Sequence, residues 1–132
     1  MYRILIVDDN TTLNMELEEY LPTIGYEVKG VASSGSEAVE KARALKPDLI
    51  LMDIKMPGKL NGIEAAGIIK SELGINIIFI SGYADEELLE EAKLVEPLAY
   101  ILKPISEEQI AAALKMACYQ IGRNGMWLKT LD

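Results

Sequence analysis

Five groups suited to phosphoryl chemistry stand at the ends of four short apolar runs. Ile4-Leu5-Ile6-Val7 runs into Asp8-Asp9, and Leu49-Ile50-Leu51-Met52 runs into Asp53. Ile77-Ile78-Phe79-Ile80 runs into Ser81, and Ala99-Tyr100-Ile101-Leu102 into Lys103-Pro104. Two carboxylates about 4 Å apart repel by roughly 4 kcal/mol at an effective dielectric near 20. A cluster of Asp8, Asp9 and Asp53 therefore calls for a cation. Oxygen-only ligands suit a small hard dication such as Mg²⁺, with Mn²⁺ as an alternative, which shares its shell with phosphate oxygens. Without the ion, at least one of these acids is expected to carry a raised pKa. A carboxylate beside a cation and a lysine can attack phosphorus and form an acyl phosphate. Asp53, ending the run at mid-chain, is the candidate nucleophile. Lys103 supplies charge neutralisation, and the Ser81 hydroxyl can donate to a phosphoryl oxygen.

These groups meet only if the runs are neighbouring strands. Strands are predicted over residues 3–8, 27–32, 48–53, 76–81 and 98–103, with helical patterns between them. Leu13, Leu17, Tyr20 and Leu21 share one helical face, which Pro22 bends or ends. Ser34 with Glu37, Asn61 with Glu64, and Ser106 with Gln109 have the spacing of capping boxes. Asp85 is placed to cap a helix carrying Leu88, Leu89 and Ala92. Ile110, Ala113, Leu114, Ala117 and Ile121 form the buried stripe of the last helix. Near-continuous apolar strands alternating with helices imply an α/β fold with a parallel sheet covered on both faces. The second strand, Glu27-Val28-Lys29-Gly30-Val31-Ala32, is the most polar and belongs at an edge. The predicted order is thus 2-1-3-4-5, a flavodoxin-like (βα)5 arrangement whose switch point falls between Asp8-Asp9 and Asp53. Lys103-Pro104 closes the last strand with an X-Pro bond, a position where a cis peptide is an option.

With 132 residues the chain is expected to form one domain. Its net charge of −8 speaks against direct nucleic acid binding, which needs phosphate neutralisation by Lys and Arg. No apolar run approaches the roughly 20 residues of a membrane helix, and the N-terminus lacks a signal-peptide pattern. The single cysteine, Cys118, reads as a helix core residue, and a reduced cytoplasmic setting is expected. The absence of histidine removes imidazole acid–base chemistry and an internal phosphohistidine. Arg123-Asn124-Gly125 is expected to break the last helix. That sets a domain over residues 1–122 and a tail over 123–132. Met126-Trp127-Leu128 either packs back on the domain or leads into a further one.

The ordered set Asp8-Asp9, Asp53-Ile54-Lys55-Met56-Pro57, Ser81-Gly82 and Lys103-Pro104 resembles the receiver domain of two-component response regulators, over residues 2 to about 121. The resemblance implies that Asp53 accepts a phosphoryl group, and that Asp8, Asp9 and Asp53, with the backbone carbonyl of Lys55, bind Mg²⁺. Ser81 and Lys103 would contact the phosphoryl group. Tyr100 would be the switch aromatic, turning in behind Ser81 and altering the surface of the fourth helix, fifth strand and fifth helix. The implied partners are a sensor histidine kinase or histidine phosphotransfer protein and a downstream effector or fused output domain. A phosphorylation-linked dimer is a further assembly that the resemblance allows. The segment from Met56 to Gly62 is one residue longer than the common family pattern, Ile105 replaces a frequent aromatic, and Ser81 replaces a frequent threonine. The implied role is a signalling switch rather than an enzyme. A Mg²⁺-dependent phosphohydrolase with an aspartyl nucleophile fits less well, since such enzymes carry Asp-x-Asp after the first strand and a substrate-covering cap. A flavodoxin-like binder is disfavoured by Asp9 in the first loop.

Overall fold

The computed structural model describes the backbone of residues 1–131 and the side chains of residues 1–122. Strands and helices alternate: β1 (Arg3–Val7), α1 (Thr11–Thr23), β2 (Glu27–Ala32), α2 (Gly35–Leu45), β3 (Leu49–Asp53), α3 (Gly62–Leu73), β4 (Asn76–Ser81), α4 (Glu86–Lys93), β5 (Ala99–Leu102) and α5 (Glu107–Leu131). All four strand pairings are parallel, and the order is β2-β1-β3-β4-β5. The polar β2 lies at an edge, as its composition predicts.

Successive strand side chains point to opposite faces, and the core divides accordingly. Leu5, Val7, Ile50, Met52, Ile77 and Phe79 face Ala38, Val39 and Ala42 of α2, Ile63, Ala66 and Ile69 of α3, and Ala92 of α4. Ile4, Ile6, Leu49, Leu51, Ile78 and Ile80 face Leu17 and Leu21 of α1 and Ile110, Leu114 and Ala117 of α5. Burial on both sides is why these strands read as unbroken apolar runs. Burying each such side chain stabilises by about 1.5–3 kcal/mol, so β1, β3 and β4 form a firm base for the polar groups at their ends.

Helix starts follow side-chain chemistry. Asn10, Ser34 and Asn61 cap α1, α2 and α3 by accepting from Leu13, Glu37 and Glu64 backbone N–H groups. The capping box is reciprocal at Asn61–Glu64 and at Ser106–Gln109. At α2 only half of it forms, because the Glu37 carboxylate accepts from Ser33 N–H instead. Asp85 holds the N-cap position of α4 but makes no side-chain cap bond. Pro22 lies in the last turn of α1, one residue before its end. The Lys103–Pro104 bond is cis.

One sequence expectation fails. Arg123-Asn124-Gly125 does not break the last helix, since α5 continues to Leu131. The two interior glycines, Gly122 and Gly125, cost only about 1 kcal/mol each relative to alanine, which the helix formers along α5 offset, and there is no proline to remove a hydrogen bond. The boundary expected after residue 122 is therefore not marked by a helix end. The packing expected of Met126-Trp127-Leu128 falls outside the described side chains.

The turn from β3 into α3 is tied by Gly62, whose N–H donates to the Ile54 carbonyl at 2.7 Å. A Cβ at this glycine would stand 1.8 Å from the Asp53 carbonyl oxygen. Gly62→Ala is expected to lower stability by about 1–3 kcal/mol or more through main-chain displacement. Gly67→Ala, mid-α3 with nothing within 4 Å of the added methyl, is expected to gain about 0.5–1 kcal/mol. Urea denaturation of both variants checks the contrast; equal effects would contradict it.

Candidate functional site

The order β2-β1-β3 reverses direction between β1 and β3, which opens a crevice at their C-terminal ends. Val7 pairs with Met52 and Asp53 with Ile80. The residues just past Val7 therefore stand beside Asp53. Asp8, Asp9 and Asp53 each offer one carboxylate oxygen, and these oxygens all lie within 4.8 Å of one another. Asp8 and Asp53 are buried and Asp9 is exposed.

Each buried acid is held by the local chain. The Asp8 N–H donates to the Ala32 carbonyl at 3.0 Å, its Oδ1 accepts from Asn10 N–H at 2.9 Å, and its carbonyl accepts from Asn14 Nδ2 at 2.8 Å. Asp53 Oδ1 accepts from Ile54 N–H at 2.9 Å. Lys103, arriving from β5, places Nζ 2.7 Å from Asp8 Oδ2 and 3.6 Å from Asp53 Oδ1. Among the described contacts Asp53 Oδ2 is uncommitted. The Ser81 side chain is fully buried, and its hydroxyl oxygen accepts from Tyr83 N–H at 3.1 Å. Among the described contacts that hydroxyl only accepts, which leaves its proton available to an anion.

Among the described residues, three carboxylates and one ammonium leave the crevice two charges negative. Burial, and after it the neighbouring Asp8 carboxylate, push the Asp53 carboxyl up to about 6, against the opposing pull of Lys103 and Ile54 N–H. Burial alone would lower the Lys103 pKa. The hydrogen bond to Asp8 and the charges of Asp53 and Asp8 together outweigh it, so the net direction is upward. A hard dication in the crevice would relieve the residual negative charge. An all-oxygen donor set with one uncommitted oxygen on Asp53 fits Mg²⁺.

Of the residues singled out in the sequence, Asp8, Asp9, Asp53 and Lys103 come together. Ser81 is at the adjoining strand end, and Lys55 is on the exposed loop two residues past Asp53. Tyr100 is half-buried in β5, tilted against Phe79 with ring centroids 6.2 Å apart, and its hydroxyl donates to the Tyr83 carbonyl at 2.6 Å. Two contributors escaped the sequence reading. Asn14, buried on the face it shares with Leu17 and Leu21, braces the Asp8 backbone; a polar residue inside that apolar stripe was the available signal. Tyr83 carries Lys55 on its ring, with Nζ 3.7 Å from the centroid. No sequence spacing announces a contact between two loops.

A family model described as the response regulator receiver domain matches residues 4–115. The transcriptional regulatory protein PdtaR of Mycobacterium tuberculosis is 39% identical over 115 residues, covering 87% of this chain. The chain spans only 56% of that protein's length. The chemotaxis protein CheY of Thermotoga maritima is 40% identical over 113 residues, covering 85% of this chain and 93% of the relative. A CheY-like receiver domain protein from Methanospirillum hungatei superposes with a TM-score of 0.86 at 30% identity, covering 94% of this chain and 98% of that structure.

The charge crowding has a measurable sign. The Asp53 carboxyl binds its proton more tightly in the folded state, so from about pH 4 to about 6 the folded protein holds more protons than the unfolded chain. Metal-free stability should therefore fall as pH rises through that window. Asp53→Asn is expected to stabilise the metal-free protein by about 1–2 kcal/mol near neutral pH, with the gain vanishing below about pH 4, where the native carboxyl is already neutral. Urea melts in a chelator across this range test it, and a pH-independent gain would contradict it.

Proposed function

The chain belongs to the response regulator receiver family, a signalling switch of two-component systems rather than a conventional enzyme, and from this premise we propose how its residues do the work. Asp53 is the phosphoacceptor. The observation that carries this is the meeting of Asp8, Asp9 and Asp53 within 4.8 Å, with Lys103 bonded to Asp8 and 3.6 Å from Asp53.

Asp53 Oδ1 is held by Ile54 N–H and faces Lys103, which leaves Oδ2 as the attacking oxygen. Its lone pair forms the new bond to phosphorus while the P–N bond of a donor phosphohistidine breaks and the imidazole leaves with the electron pair. The donor histidine lies outside these 132 residues, which contain none, on a sensor kinase or histidine phosphotransfer protein. Lys103 and the Ser81 hydroxyl stabilise charge on the transferred oxygens. Asp8, Asp9 and Asp53, with the Lys55 carbonyl, would hold Mg²⁺, which supplies charge neutralisation for the phosphoryl oxygens. Positioning and electrostatics are nearly all this reaction requires.

The readout runs through the Ser81–Tyr100 side of the domain. The phosphoryl group draws on the Ser81 hydroxyl, and Tyr100 repacks. The face formed by α4, β5 and α5 then shifts its preference among downstream partners, a population shift biased by local charge. PdtaR is named as a transcriptional regulator. A comparable output for the full protein here would reside in an effector or output domain.

Incubation with acetyl phosphate and Mg²⁺ is expected to add one phosphoryl group, seen by intact mass. Asp53→Ala should abolish the adduct. Lys103→Ala should slow its formation by about a hundredfold, the scale of losing one preorganised donor. An unchanged mass for the wild-type protein, or an adduct that persists in Asp53→Ala, would refute the assignment.

A further inference from the structure

Tyr83 has no part in the reaction above, yet three pieces of the site converge on it. Its N–H donates to Ser81 Oγ at 3.1 Å. Its carbonyl accepts the Tyr100 hydroxyl at 2.6 Å. Its ring receives the Lys55 ammonium at 3.7 Å from the centroid. Tyr83 is 49% exposed, so burial alone does not fix the ring. The residues around it, Gly82 to Asp85, form a connection without regular structure, and α4 beyond it buries only Ala92. A segment with so few buried contacts opens at low free energy. One polar contact there shifts its equilibrium measurably.

We propose that Lys55 and Tyr83 form a cation–π clasp joining the β3–α3 and β4–α4 loops, and that this clasp positions the Tyr83 carbonyl on which Tyr100 is anchored. The inference deepens the switch reading above and rests on it for its purpose. Lys55 follows Asp53 by two residues on a turn pinned by the Gly62 N–H bond to Ile54. Its ammonium therefore starts from a fixed base beside the pocket. On the other side, β4 delivers Tyr83 two residues past Ser81. The clasp thus crosses between the loops that leave adjacent strands β3 and β4. Tyr83 main chain then carries the restraint to two places at once: the Ser81 hydroxyl through its N–H, and the Tyr100 hydroxyl through its carbonyl. Lys55 and Tyr83 are positioning residues here; neither is assigned a reacting atom through its side chain.

The test is amide hydrogen exchange of residues 82–85 in the unphosphorylated full chain, followed by NMR. Lys55→Met keeps side-chain length but loses the cation, and should lower protection roughly two- to fivefold, the effect an exposed cation–π contact supports. Lys55→Arg keeps the cation and should restore protection to near the wild-type level. Tyr100→Phe removes the hydroxyl bond to the same carbonyl and should also lower protection. The double variant Lys55→Met/Tyr100→Phe should lose less than the product of the two single effects, because both act through Tyr83. Unchanged exchange in Lys55→Met, failure of Lys55→Arg to restore it, or strictly multiplicative losses would each overturn the clasp. Multiplicative losses in a protein that still takes the Asp53 adduct remove the clasp alone. A wild-type protein that takes no adduct removes the phosphoacceptor assignment and, with it, the clasp's role in signalling.

Discussion

The structure turns on an unfavourable arrangement: two buried carboxylates, Asp8 and Asp53, and a third at the surface share one crevice with the Lys103 ammonium. The apolar residues of β1, β3 and β4 are almost wholly removed from water, and that core offsets the cost of like charges at its rim. Lys103 comes from the far edge of the sheet. Its strand is separated from β1 by β3 and β4, a span of several inter-strand spacings of about 4.8 Å. The Lys103 main chain stays beside the end of β4, its N–H donating to the Ser81 carbonyl at 2.8 Å, so the long side chain carries the charge across to Asp8. A compact ammonium suits the task, because it can approach two acids at different distances without the planar fork of a guanidinium.

Packing is uneven across the sheet, and the unevenness has a use. The centre is close-packed on both faces. By contrast, β5 has no fully buried residue, and Leu102 is 47% exposed. Elements with few buried contacts are the ones able to adopt a second arrangement at modest free-energy cost. The acidic cluster is thus fixed on the rigid part of the molecule. Ser81, Tyr83 and Tyr100 lie where rigid and soft parts meet. Under the proposed switch, a change of charge at the fixed cluster would be felt first by the groups with the most freedom to respond.

Much of this was legible in the sequence because the governing signals are local. Unbroken apolar runs ending in Asp, Ser or Lys identify strands buried on both faces. The polar β2 reveals the edge, and together they place Asp8, Asp9, Asp53 and Lys103 at one rim. Caps at Asn61 and Ser106 depend on residues three apart and were readable too. The rest depends on competition the sequence does not display. Glu37 had two backbone N–H groups within reach and took that of Ser33. Asp85 stands at a helix start without bonding to it. The run Arg123-Asn124-Gly125 is a weak breaker whose effect is smaller than the helical preference around it. Asn14 bracing Asp8, and Lys55 lying on Tyr83, join segments distant in the chain, and only the folded backbone brings them into contact.

The close approach of Gly62 to the Asp53 carbonyl has a mechanical consequence. The main chain behind that aspartate is backed by another stretch of main chain, with no side chain between them to yield. The residue therefore sits on an anvil. The Asp53 main chain has little room to retreat toward α3. Replacing the hydrogen on that glycine's Cα with anything larger would lift the aspartate off its anvil and carry its carboxylate out of register with Asp8 and Lys103.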